Sequence, residues 1–215
     1  MEKPFTEADL KRIRDAISRA EASHAGEIVP YIVGRVDDHE EARWRGATIG
    51  ALMVSLLTGA LYEYQGFWGG LGMPWITLPA IVGAGLGFML SAYPPLARKL
   101  LSDADIDRRV QRRAQAAFLE EQVFLTEKRT GILIFLAVFE HRAVILADAG
   151  IHQVIPADTW SELVDRLVVG IKANQPAEAL CETIARCGEI LQSHDIPRAN
   201  GNKDELNNDL RVREH

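Results

Sequence analysis

Residues 47–62 read ATIGALMVSLLTGALY, and residues 75–93 read WITLPAIVGAGLGFMLSAY. From Ala47 to Tyr93 the only charged side chain is Glu63, in a chain that is otherwise densely charged. With Trp44 and Tyr64 at its ends, the first run covers about the 20 apolar residues that a bilayer crossing needs. Aromatic residues bound both runs, at Trp44, Tyr62, Tyr64, Phe67, Trp68, Trp75 and Tyr93. Such rings settle at the two lipid–water interfaces, because they are apolar on one side and polar on the other. Neither run keeps the polar face that a helix on a soluble protein needs. The pattern predicts a two-helix transmembrane hairpin with spans over residues 45–63 and 75–93.

The segment between the runs, Glu63 to Pro74, is rich in glycine and has no Lys or Arg. Arg35, Arg43 and Arg45 precede the hairpin, and Arg98, Lys99, Arg108, Arg109, Arg112 and Arg113 follow it. Basic residues stay on the cytoplasmic side, so both termini are expected in the cytoplasm, at a bacterial inner membrane. The N-terminal stretch is amphipathic and charged, unlike a signal peptide, so the first span is expected to act as its own uncleaved targeting signal. Small residues recur every four positions at Ala51, Ser55 and Gly59, and again at Gly83 and Gly87. Such faces let helices approach closely in lipid, here within the hairpin or, alternatively, in a homo-oligomer. No charged residue lies inside either apolar run, residues 47–62 and 75–93, which argues against a transporter or channel.

Outward from the hairpin the pattern changes to that of a soluble α/β domain. Thr6 with Asp9 resembles a capping box, and Leu10, Ile13, Ile17 and Ala20 follow at helical spacing. Glu27 to Gly34 is rich in β-branched residues and reads as a strand, with Pro30 favouring an edge or a bulge. After the hairpin, Ser102 with Asp105 opens a helix whose apolar face is Ile106, Val110, Ala114, Ala117, Phe118 and Phe124. Gly131 to Phe139 is apolar at consecutive positions, as in a strand buried on both faces. Arg142 to Ala147 should return antiparallel to it, although the intervening residues are not of the Asn-Gly type. Two helices follow, one carrying Trp160, Leu163, Val164, Leu167, Val168 and Ile171, the other Leu180, Ile184, Cys187 and Leu191. The stretch 197–215 has no apolar period and is expected to lack structure.

A formal net charge of -6 and a pI near 5.5 argue against a nucleic-acid partner, which calls for a basic excess. The two cysteines, Cys181 and Cys187, fall six residues apart in one predicted helix. Their Cα atoms would be roughly 9 Å apart, too far for a disulfide, so both are read as free apolar thiols in a reducing compartment.

The Glu27-Ile-Val strand, Arg113, Thr130-Gly131, the run Arg142-Ala-Val-Ile-Leu-Ala-Asp148-Ala-Gly150-Ile151, and Trp160 together resemble the TPM domain family. The likeness is to its bacterial branch of membrane proteins. It implies an α/β/α sandwich with a small mixed sheet, here interrupted by the transmembrane hairpin. Other branches add two activities by resemblance: divalent-cation binding with acid phosphatase activity in a plant thylakoid member, and association with a membrane receptor in an animal member. Family members often carry a signal peptide and one terminal anchor, whereas this chain places a hairpin inside the domain.

The residues themselves offer few chemical signatures. There is no Cys-x5-Arg loop, no Asp-x-Asp at a strand end, no His-x-His pair and no Gly-x4-Gly-Lys loop. The histidines (His24, His39, His141, His152, His194, His215) have no ligand spacing, so no metal site, cofactor or catalytic residue is read from them. Asp148, at a strand end, is a candidate for ligand or partner contact, or else a cap for nearby amides. Arg142 is expected to pair with Glu140 or an anion, and Glu27 either faces a cleft or only begins its strand. Arg108, Arg109, Arg112 and Arg113 form a basic stripe that would meet anionic lipid, or merely mark topology.

Divided accordingly, residues 1–36 and 101–196 form the α/β domain, 37–100 a juxtamembrane helix and the hairpin, and 197–215 a tail. The expected function is a membrane-anchored, non-enzymatic module for a membrane or cytoplasmic protein partner, with a metal-dependent phosphatase as the alternative.

Overall fold

The computed structural model describes residues 5–22, 26–37, 40–65, 72–194 and 210–213. The chain forms two compact units, one built from Met1–Val36 and Asp107–His215, the other from Asp37–Ile106.

The first unit opens with α1 (Glu7–Glu21). Asp9 N–H donates to Thr6 Oγ1 and Thr6 N–H to Asp9 Oδ2, at 3.2 and 3.0 Å, so the capping box is complete. The bonds from Thr6 hold the Asp9 carboxyl below the usual carboxylate range. Strand β1 (Glu27–Val33) is buried at every position. It pairs in parallel with β2 (Gly131–Ala137), Glu27 opposite Gly131, and β2 pairs antiparallel with β3 (Arg142–Ala147). The turn between β2 and β3 is closed by His141 at φ 51°, so a non-glycine residue takes the left-handed position that Asn-Gly would otherwise fill.

Burial on both faces is why β1 and β2 read as continuous apolar runs. Ile28, Ile32, Ile132, Ile134 and Leu136 face Ile13 and Ile17 of α1, and the helices α7 (Ser161–Lys172) and α8 (Pro176–Ser193) complete that core. Leu167, Leu180 and Ile184 are wholly buried there, each worth about 1.5–3 kcal/mol relative to exposure. Val29, Tyr31, Val33, Leu133 and Phe135 point the other way and are equally buried. Tyr31 stacks on Phe135, and Arg113 of α5 (Asp103–Glu120) donates to its hydroxyl, so α5 lies on this second face. The result is a mixed α/β fold around a small mixed sheet with helices on both sides.

Cys187 is in the first core, and its burial pushes the thiol up to about 12. Cys181 is half-buried, its thiol also raised by burial, and both cysteines are free.

The tail departs from expectation. Arg211–Arg213 forms β4, which runs parallel to β1 from Tyr31 to Val33 and completes the order β3-β2-β1-β4. An exposed strand edge offers unpaired backbone groups, so even a polar segment can add to it. Arg211 Nε donates to Glu121 at 3.0 Å and pins the strand. Leu210, just before it, packs partly buried against the core, and the rest of 197–215 falls outside the described residues. Pairing with β4 starts at Tyr31, so Pro30 sits where β1 is still an edge and its missing N–H costs no ladder bond.

The second unit is a helical hairpin. The juxtamembrane helix and first apolar run form one continuous helix, α2 (Glu40–Gln65), and the second run forms α3 (Met73–Leu90) with Pro79 inside it. A short helix, α4 (Pro94–Leu100), follows, which the sequence pattern did not anticipate. Among the described residues one helix, α2 over Glu40–Tyr64, is long and apolar enough to cross a membrane, and only 11% of its most apolar window is buried. The apolar part of α3, Thr77–Leu90, is shorter.

The two helices meet through glycine. A Cβ on Gly50 would fall 2.2 Å from the Gly83 carbonyl oxygen, one on Gly83 2.3 Å from that of Gly50, and one on Gly87 2.0 Å from that of Gly46. The expected face of α3 is therefore used within the hairpin, where it meets Gly46 and Gly50 of α2. A Cβ on Gly59 would meet nothing. Gly83→Val is accordingly expected to destabilise the hairpin by about 1–3 kcal/mol through overpacking, while Gly59→Val leaves it unchanged. Thermal melting of both variants in detergent checks this, and equal melting would rule out the glycine seam.

Candidate functional site

The N-terminal ends of β1 and β2 and the C-terminal end of β3 lie side by side. There the segment 126–131 and the segment 148–151 are joined backbone to backbone. Asp148 N–H donates to Gly131 O and Gly150 N–H to Arg129 O, both at 2.9 Å. Thr130 N–H donates to Thr126 Oγ1 at 2.8 Å. A Cβ on Gly150 would stand 2.3 Å from the Lys128 carbonyl oxygen, so only glycine lets the two segments approach this closely.

Arg129 sits at φ 58°, an uncommon conformation for a residue with a side chain. From there its guanidinium pairs with Asp148: Nη2 donates to Oδ1 at 2.9 Å, and Nε lies 2.8 Å from Oδ2 at ion-pair distance. A hydrogen bond between two charged groups is stronger than a neutral one. Asp148 is 5% exposed and also accepts from Ala149 N–H at 2.7 Å, capping the one-turn helix α6 (Ala149–His152). Arg129 itself is about half exposed and lies 5.7 Å from the Phe124 ring centroid.

The sequence candidates fall as follows. Asp148 is a cap and an ion-pair partner that lies behind Arg129, so a docking molecule would meet the arginine. Glu27 is buried at the start of β1, its N–H donating to Thr130 O at 3.2 Å. Arg142 pairs with Asp107 of α5, Nε to Oδ1 2.6 Å. Glu140 is buried and accepts from Val36 N–H at 3.0 Å.

Of the basic stripe, Arg108 and Arg112 are exposed and Arg109 half-exposed. Arg113 is committed inward, Nη2 to the Tyr31 hydroxyl at 2.7 Å and Nη1 to Glu120 at 3.1 Å. It contributes to packing and not to a lipid-facing surface.

Sequence reasoning missed Arg129 and Glu21. Glu21 is buried and its Oε1 accepts from Ile28 N–H at 2.8 Å, tying the end of α1 to β1. The only local signal was an Arg-Thr-Gly run before an apolar strand. Among the described residues no three or more His, Cys, Asp or Glu side chains are grouped so as to hold a metal ion. The described residues therefore do not fit the divalent cation that the resemblance implies. His24, His39 and His215 lie outside them.

Removing the Asp148 carboxylate leaves Arg129 open to solvent and α6 uncapped, so Asp148→Ala is expected to cost about 1–2 kcal/mol, the scale of a lost cap. Denaturant unfolding measures it, and a loss above about 4 kcal/mol would assign Asp148 a larger role than capping.

Fold and site together define a mixed α/β domain whose sheet end is closed by an Arg-Thr-Gly loop and an Asp-x-Gly turn. Residues 99–190 match the family model described as the TPM domain. No curated protein matches the chain. Among solved structures, it is similar to the NMR structure of the BA42 protein from the psychrophilic bacterium Bizionia argentinensis. The TM-score is 0.59 at 19% identity, over 99% of this chain and 97% of that one, a likeness of fold alone.

Proposed function

We propose that this chain is a membrane-anchored TPM module whose hairpin crosses the bacterial inner membrane. Both termini and the α/β domain then lie on the cytoplasmic side, where the domain serves a membrane or cytoplasmic protein partner without being an enzyme. The observation that carries the reading is the apolar surface of α2 and α3. Leu52, Met53, Leu56 and Leu57 on α2 and Leu78, Ile81, Met89 and Leu90 on α3 are each 60–73% exposed. A monomer in water rarely exposes so large a contiguous apolar patch, while lipid covers it at no cost. The apolar part of α3, Thr77–Leu90, though shorter, is flanked by Trp75 and Tyr93, which extend its reach to the interfaces.

The absence of an enzymatic role is supported by how the acids are used. A carboxylate that is ion-paired to a guanidinium and accepts a backbone N–H behind a side-chain screen is poorly placed as a nucleophile or base. What the site offers to the outside is the half-exposed Arg129 and the Arg142–Asp107 pair, which suit contact with a charged protein surface.

The test uses the full-length chain with a reporter fused after His215. Retention in the membrane pellet through an alkaline carbonate wash, with a cytoplasmically active reporter, is the expected result. Release by the wash overturns the anchor, and a periplasmic signal overturns the orientation. Metal-dependent hydrolysis of a generic phosphomonoester that disappears in a folded Asp148→Ala variant would replace the non-enzymatic reading with the phosphatase one.

A further inference from the structure

We infer that the groove between α2 and α4 binds one anionic phospholipid, with its phosphate on Lys99 and Arg45. The inference rests on the membrane-anchored reading and adds a ligand to it.

The groove has a volume of about 470 Å³ and is lined by Trp44, Arg45, Thr48 and Ile49 of α2 and by Lys99 and Leu100 of α4. Arg45 is held at its mouth, where Nη1 donates to Leu100 O at 2.9 Å and Nη2 lies 3.7 Å from Asp105 Oδ2. Asp105 offsets part of that charge. Lys99 is exposed and forms no ion pair among the described residues, so the groove carries an uncompensated positive charge. Trp44 is 66% exposed and packs edge-on against Phe88 at 5.7 Å, leaving most of its ring free to sit at headgroup level.

What lies beyond the groove selects the ligand. Residues 45, 48, 49, 52 and 56 share one face of α2 by helical periodicity, on the side away from the Gly46 and Gly50 seam. Ile49, Leu52 and Leu56 on that face are 46%, 60% and 72% exposed. A cationic pocket thus opens onto an apolar stripe. Inorganic phosphate would satisfy only the first part and a neutral lipid only the second. An anionic glycerophospholipid covers both, phosphate on the cations and acyl chain along the stripe, as basic residues at a membrane surface attract anionic lipid.

The experiment reconstitutes the full chain in bilayers of mixed phosphatidylglycerol and phosphatidylcholine, releases it gently, and counts retained lipid by native mass spectrometry. One phosphatidylglycerol retained in preference to phosphatidylcholine is expected. Lys99→Gln should lower that retention about fivefold, the effect of one basic residue near an anionic surface. Lys99→Arg should keep it, and Lys172→Gln, an exposed lysine on α7, should leave it unchanged. Equal retention of the two lipids, equal effects of Lys99→Gln and Lys172→Gln, or displacement by millimolar inorganic phosphate would each overturn the site. A chain that never enters the bilayer would overturn the anchoring itself, and the site with it.

Discussion

Leu56→Asp is expected to reduce the carbonate-resistant membrane fraction by about a hundredfold in insertion equilibrium. Leu56 lies in the middle of α2 and is 72% exposed, so no protein group would shield the new carboxylate. A charge at the centre of a spanning helix costs about 2.5–3.5 kcal/mol on insertion scales, and each 1.4 kcal/mol is tenfold. The same substitution on a water-exposed helix would change stability by no more than about 0.5 kcal/mol and would improve solubility. The two environments therefore predict opposite outcomes from one variant. Measured by carbonate extraction and by melting of the detergent-solubilised protein, an unchanged membrane fraction would eliminate α2 as a span. Leu119→Asp serves as the control, because Leu119 is also exposed (63%) but lies on α5.

Phe135→Ala is expected to destabilise the α/β unit by about 3–5 kcal/mol, the range for a buried aromatic truncated in a core. Phe135 has no exposed surface, occupies the middle of β2, and stacks on Tyr31 with ring centroids 5.6 Å apart and planes 14° from parallel. Losing it opens a cavity beneath α5 and also loosens Tyr31, whose hydroxyl positions Arg113. Domains of this size have a total stability of about 5–15 kcal/mol, so the loss is a large share of what holds the fold. Phe135→Leu, which keeps most of the volume, should cost less than about 1.5 kcal/mol. Denaturant unfolding of both variants decides it. A loss below 1 kcal/mol for the alanine variant would contradict the packing of β2 against α5.

Much of this was legible in the chain because it is local. Thr6 and Asp9 cap a helix three residues apart, and the alternation of Ile132, Ile134 and Leu136 with Leu133 and Phe135 means that both strand faces are covered. The apolar stretch from Ala47 to Tyr93 announces helices with nowhere to hide in water. The Asp148 cap belongs to the same class, since its amide partner is the next residue. For the glycine seam the composition of the hairpin sufficed to place Gly83 and Gly87 on it, but Gly46 and Gly50 depended on how α2 rotates about its axis. That rotation is set by contact with α3.

The site was less readable, because its pairs join distant segments. Arg129 finds Asp148 across 19 positions, Arg142 finds Asp107 across 35, and Arg113 finds Tyr31 across 82. Each is worth on the order of 1 kcal/mol, too little to impose a local pattern, and which partner is reached depends on strand register and on the packing of α5. For Arg142 the packing of α5 brings Asp107 within reach, a partner that its neighbours in the chain do not announce.

The sequence by itself therefore determined the longer helices and strands, the apolar hairpin and the double burial of the central strands, because periodicity and hydrophobicity act within a few residues. The tertiary structure alone decided the glycine seam between Gly50 and Gly83, the addition of β4 to the edge of β1, and the burial of Asp148 behind Arg129. Those outcomes turn on which surfaces and strand edges remain unpaired once the larger elements have packed.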